Sequence, residues 1–104
     1  MRTRTLIATA AAVLVCGTMP SYSADVRHGM ELSKRWCSSC HLVAPDQQRA
    51  HADAPPFATI AKVPDFDAKI LAYFVLAPHP KMPDMSLSRS EADDIAAYIA
   101  TLKR

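Results

Sequence analysis

Apolar positions recur with a helical period in three stretches of this chain, and prolines separate them. In the first, Val26, Gly29, Met30, Leu32 and Trp36 oppose Arg27, Glu31, Lys34 and Arg35, which predicts a helix over Val26–Trp36 with Asp25 as its N-cap. Gly29 is informative, because a glycine inside a helix costs about 0.5–1 kcal/mol relative to alanine. Such a residue is expected where another element approaches closely, and Met30 is read as core filling. Residues 42–56 show no period and contain Pro45, Pro55 and Pro56, which predicts a loop, followed by a short helical turn over 57–62 with Ile60 inward. The second stretch predicts a helix over 68–77, capped by Asp67, with Ile70, Leu71, Phe74 and Val75 buried. Its run 70–76 could be a buried strand by periodicity alone, but the prolines that follow and the lack of a second strand candidate favour helix. Residues 78–85 carry three prolines and read as a stiff, extended loop. The last helix begins with a capping box, Ser88-Arg89-Ser90-Glu91, and places Ile95, Tyr98, Ile99 and Leu102 on one stripe. Asp93 and Asp94 in its first turns, and Lys103 and Arg104 at its end, suit the helix dipole.

The first two dozen residues do not share this pattern. Arg2 and Arg4 precede an apolar run over 6–16, Pro20 breaks it, and the small residues Ser21, Ser23 and Ala24 follow. That is the layout of a secretory signal peptide, and the run is short of the roughly 20 residues that span a bilayer. Residues 1–24 are therefore expected to be removed, leaving a mature chain that starts at Ala24 or Asp25. Ser21 and Ser23 suit a cut after Ser23. Val15 before Cys16 does not suit a lipoprotein, so Cys16 is expected to leave with the leader.

Removing the leader changes the charge picture. The formal charge of +2 is due to Arg2 and Arg4, and from Asp25 on basic and acidic residues are equal in number. No basic stripe is left to neutralise phosphates, which argues against a nucleic-acid partner. About 80 residues is also a size at which an apolar core alone seldom suffices and a staple is needed.

The candidate chemistry is Cys37-Ser38-Ser39-Cys40-His41. Two thiols three positions apart followed at once by an imidazole have the spacing of c-type haem attachment. Two thioether bonds reach the porphyrin only from a short loop, and His41 then falls under the iron as its proximal ligand. Three other readings fit less well. A zinc site wants a second ligand pair, and only His51 and His79 remain downstream. A thioredoxin-like motif wants a strand before it, and a disulfide across so short a loop is strained. For the opposite side of the iron Met82 is the first choice, since a neutral thioether favours ferrous iron and the flanking Pro80 and Pro83 would present it rigidly. Met85 is the rival, and His79, His51 or an open position complete the alternatives.

With these features in order, the chain from Gly29 onward resembles the small bacterial class I c-type cytochromes. The resemblance is carried by Gly29-x-x-Leu32, Cys37-Ser38-Ser39-Cys40-His41, Ala54-Pro55-Pro56-Phe57, His79-Pro80-Lys81-Met82-Pro83, Leu87-Ser88-x-x-Glu91 and Asp94-Ile95-x-Ala97-Tyr98-Ile99. It implies an all-α fold, three to four short helices wrapped around one covalently bound haem c, over a single domain 25–104. It further implies that first and last helices cross nearly at right angles where Gly29 meets Tyr98, and that the carbonyl of Pro55 accepts a hydrogen bond from His41. Tyr73 and Phe74 depart from the pattern, since similar proteins often place a tryptophan there near a propionate. The function expected is a one-electron carrier of the periplasm, monomeric, not inserted in the membrane and not an enzyme, cycling iron between redox partner proteins. A haem enzyme or gas sensor with a labile methionine, and a cytochrome subunit of a dehydrogenase, are the alternatives.

Overall fold

Asp25 starts the first helix as its composition requires: its backbone is extended and its side chain accepts from the His28 amide at 3.0 Å. The computed structural model describes residues 12–19, 21–51, 53–77 and 81–104. Much of the expected leader, and Pro78, His79 and Pro80 before the methionine loop, lie outside the described residues. Among the described residues four α-helices and a terminal 3-10 turn form the fold, with no strand: α1 Val26–Trp36, α2 Phe57–Ala61, α3 Ala68–Leu76 and α4 Arg89–Ala100, continued by Thr101–Lys103. No helix among them is long and apolar enough to cross a membrane.

Local chemistry explains the boundaries. Asp67 caps α3 by accepting from Lys69 and Ile70, and the helix stops at Leu76, just before Pro78. Ser88 and Glu91 close the expected capping box on α4, side chain to backbone in both directions, at 3.1 and 2.7 Å.

The principal contact is α1 on α4. Leu32, Cys37, Val43, Phe57, Ala61, Ile95, Tyr98 and Ile99 form the main core, and Met30 packs half-buried against it. The helices approach at Gly29, where the nearest atoms of α4 belong to Asp94 and Ile95. A methyl group at Gly29 would overlap the Asp94 carbonyl and lie 2.9 Å from the Ile95 nitrogen, so the closest contact falls one turn before Tyr98 on α4. The Tyr98 hydroxyl donates to the Val43 carbonyl at 2.6 Å and ties α4 to the loop after α1.

The face of α3 also differs from expectation. Its buried residue is Ala72, which joins Ala92 and Ala96 of α4 in a second small cluster. Leu71 and Val75 are half-buried, but Ile70 and Phe74, expected inside, are 58% and 59% exposed. The reason lies in the sequence, because α3 is apolar almost all round and periodicity could not choose a face. Three alanines then decide it by letting two helices come close.

Candidate functional site

The turn that follows α1 is built by the end of that helix. The Cys37 amide still donates to Ser33, while the Cys37 carbonyl accepts from both Cys40 at 3.2 Å and His41 at 2.8 Å. This folds residues 37–41 into one turn that carries both cysteines and the histidine. Cys37 is 6% exposed and Cys40 half-buried, and both are free thiols. Burial, with the nearby Cys40, pushes the Cys37 thiol up to about 11, so it stays protonated at neutral pH.

His41 is fixed from two sides. Its Nδ1 lies 2.7 Å from the Pro55 carbonyl, and its ring meets Phe57 at a centroid distance of 5.2 Å and a tilt of 52°. A carbonyl oxygen can only accept, so the ring proton sits on Nδ1 and the lone pair on Nε2 is left for a metal. The long loop folds back to make this possible: the Phe57 amide donates to Leu42 at 2.9 Å, closing residues 42–57 into a compact ring of chain.

Gln47 organises the interior of that loop, and no motif announced it. Its side-chain nitrogen donates to the carbonyls of Ser38, His41 and Arg49 at 2.8, 3.0 and 2.9 Å, and its oxygen accepts from Val43 at 2.9 Å. One carboxamide thus braces the backbone on both sides of His41. The only sequence signal was a polar residue in an otherwise featureless loop.

The remaining candidates lie elsewhere in the chain. Met82 and Met85 are both half-buried on the segment between α3 and α4. Two non-glycine residues with positive φ bracket them, Lys81 at 71° and Ser86 at 52°, and Asp84 accepts from the Ser86 amide at 2.8 Å. His51 is exposed, and its amide donates to the Ser39 carbonyl at 2.7 Å. His79 lies outside the described residues. Among the described residues no three His, Cys, Asp or Glu side chains converge to hold a bare metal ion. A groove of about 620 Å³ between α3 and α4, lined by residues including Lys69, Tyr73, Arg89 and Asp93, contains neither thiol nor imidazole. The donor chemistry instead suits a porphyrin: two unpaired thiols one turn apart, and an imidazole with a free Nε2 beside them.

Comparison with known proteins agrees with that chemistry. Over 81 residues, 78% of this chain and 78% of the relative, the sequence is 58% identical to cytochrome c-552 of Bradyrhizobium diazoefficiens. No family model matches the chain, and no solved structure matches it.

Proposed function

The chain belongs to the small class I c-type cytochromes, and on that footing we propose that it carries single electrons in the periplasm with a haem iron held between His41 and Met82. The haem c of such a protein supplies the Fe(II)/Fe(III) couple. The other roles fall to the chain. Cys37 and Cys40 are the covalent anchors, and their place on one turn fits two thioethers. His41 offers Nε2 to the iron while the Pro55 carbonyl holds its Nδ1 proton, which orients the ring and raises its basicity. That contact is the observation that carries the reading, because it leaves His41 in the tautomer that offers Nε2 to the iron.

Met82 is assigned the opposite axial position on ligand chemistry. A thioether favours ferrous iron and raises the potential relative to a second imidazole. Both iron sites are then occupied by the protein, so substrate has no place to bind and ligands change little when the electron moves. The exposed Ile70 and Phe74, one helical turn apart on α3, are assigned to the porphyrin face, where an apolar helix with only one packed side gains a second. The leader over residues 1–24 would send the chain across the membrane. The partners are redox proteins on either side of it in the electron chain.

A redox titration of the purified holoprotein, with absorption spectra in both states, tests this reading. A single one-electron wave, with the near-red ferric band of thioether ligation, is the expected result. A high-spin spectrum, or carbon monoxide binding to the untreated reduced protein at neutral pH, would contradict a carrier with both axial sites filled.

A further inference from the structure

Asp94 brings a carboxylate into the core, 2% exposed, that electron carriage does not use. Its oxygens are fully engaged. Oδ1 accepts from the Tyr22 hydroxyl at 2.6 Å and from the Asp25 amide at 2.7 Å, and Oδ2 accepts from the His28 Nδ1–H at 2.7 Å. A carboxylate so buried needs every one of these donors. Yet two of the three lie at the junction where residues 1–24 are expected to be cut away. The cut removes Tyr22 and leaves Oδ1 one donor short. The same cut creates a primary ammonium on Ala24 or Asp25, next to that oxygen or upon it.

We propose that Asp94 is a binding site for the α-ammonium of the processed chain, so that leader removal exchanges a neutral phenol for a positive charge. The proposal rests on the reading of residues 1–24 as a cleaved leader. The group already on Oδ1, the Asp25 nitrogen, is itself the new terminus if the cut follows Ala24, and its neighbour is if the cut follows Ser23. The surrounding charges leave room for one more cation. From α1 the pocket meets His28, whose Nδ1–H donates to Oδ2. At the mouth stands the Asp25 carboxylate, already accepting from the His28 amide. From α4 comes Glu91, held in the capping box. The charged donor makes the mature chain tighter at this corner than its precursor, which must cross the membrane unfolded.

The test uses holoprotein isolated from the periplasm. Intact mass gives the first residue. Reductive methylation with labelled formaldehyde then lets the α-amine be titrated by NMR. We expect a start at Ala24 or Asp25 and an amine pKa about one unit above the usual ~7.7–8.0. It should stay raised in 1 M salt, because the carboxylate end of the pair is buried and the contact is direct. Asp94→Asn should return it to the usual range, and His28→Gln should leave it raised. A different first residue overturns the leader reading and the proposal with it. A correct start with an ordinary amine pKa overturns the Asp94 site alone, as does a raised value that Asp94→Asn does not lower. If Asp94→Asn fails to accumulate, the salt series on the unaltered protein decides, and a shift that collapses in salt refutes the site.

Discussion

At the scale of single residues, Gln47 and His28 make opposite kinds of contribution. Gln47 holds a loop that has no secondary structure of its own, and its four hydrogen bonds end on backbone groups around His41. Gln47→Ala would leave those groups to find water. Each hydrogen bond exchanged for one to water is worth about 0.5–1.5 kcal/mol net, so a loss of about 2 kcal/mol is expected in guanidinium unfolding of the holoprotein. An unchanged midpoint would show that the loop is held by its ends alone. His28 acts through charge. The hydrogen bond to Asp94 raises its pKa against some loss from burial, while Asp94 itself is pushed up by burial but brought below the usual carboxylate range by the Tyr22, His28 and Asp25 donors. The raised imidazole stabilises the fold fully below its ordinary value near 6.5, and the contribution is lost as pH rises through the raised value. The lowered carboxylate contributes above about 3.9 and is lost as pH falls through its lowered value. Stability from this pair is therefore greatest between about pH 4 and 6.5. His28 is half-exposed, so the effect is modest, but His28→Gln should lessen the decline in melting temperature as pH rises from about 6.5. A decline that persists in the variant would place its cause elsewhere.

At the scale of elements, the helices were the part most open to reading. α1 has the bounds its pattern predicts, the caps at Asp25, Asp67 and Ser88 act as expected, and prolines mark the stop of α3. Those signals are local, and local chemistry sets helix ends. Which faces meet is a matter of tertiary packing, and there the pattern was weaker. Ile70 and Phe74 were expected inside because they are large, but small residues determined the α3–α4 contact. Asp94 looked like a surface dipole partner because it lies in the first two turns of α4. Close approach at Gly29 carries it instead beneath the start of α1. The crossing itself gives a sharp expectation. Gly29→Ala adds a methyl onto the Asp94 carbonyl, and backbone cannot yield as a side-chain tip can. A loss of about 1–3 kcal/mol should follow despite alanine's better helix propensity, and Gly29→Val should lose more. Unfolding of the two variants in guanidinium tests this, and a stabilised alanine variant would refute the close crossing.

At the scale of the whole molecule, the fold is expected to depend on its cofactor. The Cys37–His41 motif stood out because its spacing is that of haem attachment, and the Pro55 contact was implied by family resemblance alone. Gln47 was not legible, since hydrogen bonds to backbone carbonyls leave no pattern along the sequence. A small core with an exposed apolar face on α3 is expected to need the porphyrin for stability. Replacing Cys37 and Cys40 together with alanine should abolish covalent haem and leave a largely unfolded chain. A haem-free double variant with native circular dichroism would show that the haem is cargo and not part of the core.

Whether Met82 shares the iron with His41 is decided by the ferric absorption spectra of two variants measured side by side. Met82→Ala should lose the near-red band of thioether ligation, with a lower reduction potential because a ligand favouring Fe(II) is gone. That loss should occur even if His79, three residues away, takes the vacant position. Met85→Ala should keep the band unchanged. The opposite pattern, a band lost in Met85→Ala and kept in Met82→Ala, would contradict the assignment and move the ligand three residues along the loop.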